Sequence, residues 1–217
     1  MIRIAKNIVS IIITVTLLYN CKSEKKPQKF DYGKVTGNMY TNSFFDFEVK
    51  IPEGWAVQSQ EQTQKLAEKG AELAAGDDEY LKSAVKSAEV DSANLLVVYE
   101  YELGTEVTYN PNFMLLAENL KNTPEVKNPG EYLLHAKKLL QRSAIEYHFE
   151  EDEFEKEIIS GETFYTMRCS IKYLGTEIKQ KYYCVFKKGF CLSIIVSYLD
   201  VYQKRKLEAI VTESKFK

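Results

Sequence analysis

The order of apolar patterns in this chain predicts an α+β domain built on a mainly antiparallel sheet. Three observations carry that expectation. Thr163 to Tyr173, Ile178 to Lys187 and Phe190 to Tyr198 are strand-like runs joined by short turns containing Gly175 and Gly189, the spacing of an antiparallel meander. Helix-start signals precede apolar sequence of 3.6-residue period near residues 59, 128 and 200. No strand–helix–strand unit repeats, so nothing points to a parallel sheet.

At the N-terminus, Arg3 and Lys6 form a basic head, Ile8 to Leu18 is apolar, and Tyr19-Asn20-Cys21 leads into the polar run Lys22 to Lys26. This is the layout of an export signal. The apolar stretch of about 11 residues is too short for a bilayer that needs about 20. The sequence LYNC, Leu18 to Cys21, resembles the lipobox of bacterial lipoproteins, with Leu18 in place and Tyr19 and Asn20 departing from the usual small residues. The resemblance implies loss of residues 1–20 and acylation (palmitate among the chains) of Cys21. An uncleaved or differently cleaved signal is the other reading. One acyl chain holds a membrane marginally, whereas two or three hold it stably. Residues 22–36, polar and holding Pro27 and Gly33, read as a tether, or in their last part as the start of a strand near Phe30. The expected division is thus 1–20 signal peptide, 21–36 lipidated cysteine and tether, and 37–217 globular domain.

Without residues 1–20 the chain keeps 197 of its 217 residues, with 27 basic against 31 acidic side chains, a net charge near −4. That is one domain's length, and the mild acidity argues against nucleic acid as a partner. An apolar fraction of 45% suffices for a substantial core.

Further along, Phe45, Phe47, Val49 and Ile51 alternate with charged residues, the period of a half-buried strand, which stops at the turn Pro52-Glu53-Gly54-Trp55. Trp55 is read as a core anchor. Ser59-x-x-Gln62 has the form of a capping box, and Leu66, Gly70, Leu73 and Ala74 share a face of the helix that follows. Gly76-Asp77-Asp78 ends it and caps a second, with Tyr80, Leu81, Ala84, Val85 and Ala88 inside. Leu95 to Leu103 and Phe113 to Leu120 read as strands. Asn128-Pro129-Gly130-Glu131 starts a helix whose apolar face is Tyr132, Leu133, Ala136, Leu139 and Leu140. The acidic run from Glu150 to Glu157 lacks the spacing and the glycine of a calcium loop and reads as a solvated edge or hairpin. Asp200 caps a final helix with Leu207, Ile210 and Val211 inward.

In the meander, alternation places Arg168, Ser170 and Lys172 on one side of their strand and Lys179, Lys181 and Lys187 on the matching side of the next. Such a basic stripe, with Arg168, Lys172, Lys179 and Lys181 as the partner-binding candidates, suits an acidic partner or anionic headgroups; ordinary solvation is the plainer reading. A first turn at Gly175-Thr176 places Cys169 opposite Tyr182. A glycine bulge in the second places Phe186 opposite Phe190 and Cys184 opposite Leu192. Cys191 then lies on the other face. Cys169 and Cys184 are diagonal neighbours about 7–8 Å apart, too far for a disulfide, so three free thiols are expected.

The stretch YTNSFFDFEVKIPEGW, Tyr40 to Trp55, resembles the opening of PsbP-like proteins, and the ending is similar too: a glycine turn, the strand FCLSIIVSY, a capped helix and Ser214-x-Phe216. The resemblance implies an α/β/α sandwich around an antiparallel sheet and a non-catalytic docking or partner-binding role, with no partner named. The segment 59–89 exceeds what short members of that superfamily need.

No catalytic signature appears. His135 and His148 lie in no nucleophile or zinc pattern, and no phosphate-cradling or dinucleotide glycine loop is present. The chain therefore reads as a non-enzymatic module of the bacterial cell envelope without a cofactor, periplasmic or surface-facing. It is expected to hold a membrane through Cys21 and to bind or assemble another envelope protein. The alternative is a carrier of a small hydrophobic or glycan ligand, motivated by the chain's 15 tyrosines; a concave aromatic pocket would favour it.

Overall fold

The computed structural model describes residues 30–83, 91–150 and 153–217. The export segment, Cys21 and the first part of the tether lie outside these residues, as do Ala84, Val85 and Ala88 of the second helix.

Two antiparallel sheets form the domain. The smaller has β1 (Lys34–Thr36), β2 (Met39–Asn42), β3 (Phe47–Lys50) and β12 (Lys215–Phe216) in that order. The larger runs β4 (Ala56–Val57), β5 (Ser92–Tyr99), β6 (Asn112–Asn119), β11 (Phe190–Tyr198), β10 (Thr176–Lys187), β9 (Glu162–Tyr173) and β7 (Tyr147–Phe149), with β8 (Glu155–Ile159) also paired to β9. Helices α1 (Gln60–Ala75) and α2 (Pro129–Leu140) cover one face of the larger sheet. The smaller sheet and α3 (Val201–Glu213) cover the other.

Local chemistry sets the helix starts. Ser59 and Gln62 exchange the two hydrogen bonds of a capping box. Asn128 accepts from the Glu131 amide ahead of Pro129. Asp200 accepts from the amides of Tyr202 and Gln203. Asp78 likewise accepts from the amides of Tyr80 and Leu81, and residues 79–83 are helical. A helix of α3's length is marginal alone. Burial of Leu207, Ile210 and Val211 against the sheets holds it, at about 2 kcal/mol per side chain.

The larger sheet is buried on both faces. Met114, Leu116, Met167, Cys169, Tyr182, Cys184 and Cys191 meet α1 and α2, whereas Phe113, Leu115, Tyr183, Val185, Leu192, Ile194 and Val196 meet the smaller sheet and α3. Both hairpins depart from the expected register. The first turn is Leu174-Gly175, with Tyr173 opposite Thr176, so Cys169 faces Gln180, a shift of two that keeps the faces. The second is the two-residue turn Lys188-Gly189, both at positive φ, as type I′ geometry requires. Lys187 therefore faces Phe190, Cys184 faces Ser193, and Cys191 joins the face of Cys184 instead of opposing it. A central strand buried on both sides has no polar alternation to reveal such a one-residue slip. Cys169, Cys184 and Cys191 are free and buried.

The ordered fold also begins before residue 37. Phe30 packs on Phe44, Phe45 and Phe190, with centroids 5.2, 6.0 and 5.3 Å away. Asp31 accepts from the amides of Gly33 and Ser43 and from the Ser43 hydroxyl, and Asn42 donates to the Asp31 carbonyl. The last part of the expected tether is a folded edge that includes β1. Strand β5, in turn, ends at Tyr99, short of the expected Leu103.

Candidate functional site

Alternation does bring the basic candidates of the meander together: Lys181 stands opposite Arg168, Lys179 opposite Ser170, and Lys172 opposite Glu177. Their environments divide them. Lys181 is only 4% exposed. Its Nζ lies 2.7 Å from Glu157 and 3.2 Å from Glu208, and 4.7 Å above the Tyr183 ring. Burial opposes its charge, but the Glu157 hydrogen bond and Tyr183 outweigh that, and its pKa is raised. Arg168 reaches Glu150 at 3.3 Å and Glu155 at 3.0 Å, and Lys187 pairs with Glu162. The acidic run is thus the internal counter-charge of the stripe. Lys181 and Arg168 hold β8, β9, β10 and α3 together and offer no free cationic surface. Lys172 and Lys179 remain exposed, with no ion pair among the described residues.

Those two lysines sit at one end of the larger sheet, where several large apolar residues are exposed. The β9–β10 turn, the ends of β5 and β11 and the start of α3 all lie there. Leu174 at the turn is 73% exposed, and Val201 and Tyr202 on the first turn of α3 are 51% and 72% exposed. Tyr101 and Leu103, on the loop after β5, are exposed as well. Lys206 of α3 pairs with Glu100, which ties this loop to the helix. The sequence carried a signal for this group that pattern reading absorbed into strand and helix: large apolar residues at turn and first-helical-turn positions, where polar ones are usual.

The opposite end of the sheet carries the Lys188-Gly189 turn and receives the N-terminal chain at Phe30. There Lys188 donates to the Phe44 carbonyl and pairs with Asp46 at 2.7 Å.

Beneath α2, Glu118 is fully enclosed and accepts from the Tyr132 hydroxyl at 2.7 Å. Burial, with Asp91 adding to it against the Tyr132 bond, pushes its carboxyl up to about 8. Burial also pushes the Cys169 thiol up to about 12 and that of Cys191 well above its ordinary range, which suppresses the reactive thiolate. Tyr132 packs in the core beside α1 and the larger sheet. His135 is half-buried on α2, and His148 is exposed 3.2 Å from Glu146. Among the described residues no group of three or more His, Cys, Asp or Glu side chains is placed to hold a metal ion, and no helix is long and apolar enough to cross a membrane.

The surface depressions lined by described residues include two shaped by the fold. One, of about 560 Å³, lies between the smaller sheet and the end of α3 and is lined mainly by charged and hydroxyl residues such as Glu48, Lys50, Glu213 and Lys215. The other, of about 120 Å³, lies between β1 and the β4–β5 edge, beside the buried Gln58. Each has one aromatic side chain in its lining, Phe216 and Tyr40 respectively.

No protein-family model matches this chain, and no curated protein does. Solved structures do. The cyanobacterial PsbP (CyanoP) of Synechocystis sp. PCC 6803 superposes with a TM-score of 0.51 at 9% identity, over 85% of this chain and 98% of that one. LpqN of Mycobacterium tuberculosis, a protein involved in cell envelope biogenesis, gives 0.43 at 12% identity, over 78% and 82%. A protein of unknown function from Pseudomonas aeruginosa gives 0.40 at 6% identity, over 48% and 72%. The order of elements, the two antiparallel sheets and the near-complete coverage of CyanoP together establish that this chain has the PsbP-like fold.

Proposed function

We propose that this protein is a lipid-anchored, non-enzymatic module of the bacterial cell envelope that acts by binding another envelope component. The observation that carries the reading is the polarity of the domain. The chain from Cys21 joins the fold at the Phe30 seat, at one end of the larger sheet, and the exposed apolar residues stand at the other. Export and acylation at Cys21 rest on the basic head, the short apolar stretch and the Leu18–Cys21 junction. Glu118, Tyr132, Cys169 and Cys191, whose pKa values burial raises, are sealed in the core away from solvent. These two depressions are not aromatic-lined cavities of the kind that holds an apolar small molecule, and the exposed apolar residues are what favour binding of a partner over carriage of a ligand.

Mass spectrometry of the protein extracted from membranes tests the anchor. An acylated N-terminal Cys21 is expected, and Cys21→Ala should release the protein from the membrane fraction. An intact Met1 overturns the reading.

A further inference from the structure

We infer that the aromatic cluster of Phe30, Tyr32 and Phe44, with the basic chain that precedes it, rests on anionic lipid headgroups of the membrane that holds Cys21. This deepens the proposed function and rests on its anchor at Cys21.

The cluster is one continuous surface. The Phe30 ring lies 5.3 Å from that of Tyr32 and 5.2 Å from that of Phe44. Tyr32 is 41% exposed, and Phe30 and Phe44 are half-buried, each seated on Phe45 and Phe190. Two separate pieces of chain supply the rings, the start of the ordered fold and the turn between β2 and β3. The amide and hydroxyl of Ser43 donate to Asp31 and hold those pieces together. Lys188 is exposed beside them, its Nζ 5.8 Å from the centre of the Phe44 ring.

Position selects the occupant. From Cys21 to Phe30 the chain takes nine steps, at most about 32 Å when fully extended. The cluster therefore stays within that distance of an acylated Cys21 in every orientation of the domain, and so short a link gives it a high effective concentration at the headgroups. Charge selects the lipid. Between Cys21 and Phe30 stand Lys22, Lys25, Lys26 and Lys29 against Glu24, four positive charges less one, a net +3. The acids nearest the rings do not cancel this excess, because Asp46 pairs with Lys188 and Asp31 lies in the field of Lys34. Aromatic rings beside lysines suit the boundary between headgroups and hydrocarbon, and each lysine near an anionic surface strengthens attachment about five-fold.

The test separates this surface from the anchor by using the chain from residue 21 with Cys21→Ala, which keeps the lysines and the rings but takes no acyl group. It should sediment with vesicles of mixed phosphatidylglycerol and phosphatidylcholine, should not sediment with phosphatidylcholine alone, and should lose binding in high salt. Lys25→Gln with Lys26→Gln should weaken the partition about 25-fold. Tyr32→Ser, which spares the carbonyl that Tyr40 uses, should weaken it several-fold with an unchanged melting curve. A polarity-sensitive dye on Tyr32→Cys should shift to the blue on the mixed vesicles, and the same dye on Tyr202→Cys at the start of α3 should not; the native thiols described here are buried and stay unlabelled. Equal binding to phosphatidylcholine alone, no binding to either vesicle, a partition unchanged by the lysine pair, or a blue shift at 202 as large as at 32 overturns the inference. Acylation of Cys21 is scored separately, by mass spectrometry of the natural chain. Acylation without vesicle binding by the Cys21→Ala chain refutes this surface alone, and vesicle binding without acylation refutes the anchor alone.

Discussion

Replacing Glu118 by Gln should stabilise this protein at neutral pH, contrary to the usual effect of changing a buried hydrogen-bonded residue. Glu118 is 3% exposed and accepts from Tyr132 at 2.7 Å. Burial raises its carboxyl from 4.5 to about 8. A raised acid binds its proton more tightly in the folded state than in the unfolded one. Its contribution is complete below pH 4.5, falls as pH rises through the interval, and is lost above about 8. At pH 7 the folded state must hold a proton that the unfolded state has released. Over the 2.5 units from pH 4.5 to pH 7, at about 1.36 kcal/mol per unit, that costs about 3 kcal/mol. Glutamine is neutral in both states and keeps an oxygen for the Tyr132 hydroxyl. Urea unfolding of the chain from residue 22 at pH 4.5, 6, 7 and 8 is the assay. The two proteins should be similarly stable at pH 4.5 and diverge by about 1.4 kcal/mol per unit above it, with the variant ahead. Parallel pH profiles, or a variant less stable than the parent at pH 7, would refute the reasoning.

Two further outcomes separate structural from surface roles. Lys181→Met should destabilise by about 2 kcal/mol, below the full cost of breaking a buried pair because Glu157 and Glu208 keep partial access to water. Lys179→Met, on the same face but exposed, should change stability by less than about 0.5 kcal/mol, so equal melting shifts would contradict the buried network. Gly33→Ala should cost more than about 2 kcal/mol, because a Cβ there would meet the Tyr40 ring at 2.4 Å at a φ of +77°, and Tyr40 is locked by burial and by its bond to the Tyr32 carbonyl. Gly37→Ala, at φ +61° in open space, should cost only about 1 kcal/mol of backbone strain. A silent Gly33→Ala would return residues 30–36 to the tether.

What the sequence disclosed follows the range of the interactions involved. The capping residues Ser59, Asn128 and Asp200 were legible because each cap is settled within three or four residues. The meander was legible as three strands, and the face of Arg168 and Lys181 was correct, because alternation fixes a face once two strands pair. The register of β11 was not. All nine residues from Phe190 to Tyr198 are buried, so no polar residue marks an outer side, and nothing in Lys188 announces that it takes a left-handed conformation in a two-residue turn. The fate of the basic stripe was also out of reach. Its counter-charges come from β8, which folds back on β9, and from Glu208 of α3, 27 residues beyond Lys181. The exposed end was hidden for a related reason: Tyr101, Leu174 and Tyr202 are far apart in sequence, and only the pairing of β5, β6, β11, β10 and β9 brings them to one edge.

The buried ion pairs and the exposed end are linked by one feature of this fold. On the face of the larger sheet that meets the smaller sheet and α3, β9 and β10 carry a strip with Arg168, Lys181 and Lys187. Bare, this strip would be a row of cations beside apolar core. Acidic β8 closes it, with Glu155 on Arg168 and Glu157 on Lys181, and Glu162 on β9 itself pairs with Lys187. The pairing of β8 with β9 reaches only from Ile159 opposite Glu162 to Glu155 opposite Thr166, however, and so stops well short of the β9–β10 turn. Beyond it, β7 takes the β9 edge from Cys169 to Ile171, Lys172 stands opposite Glu177 of β10, and Leu174 is exposed at the turn. The acidic strand that neutralises one half of the stripe thus does not extend to the other half, which lies beside β7.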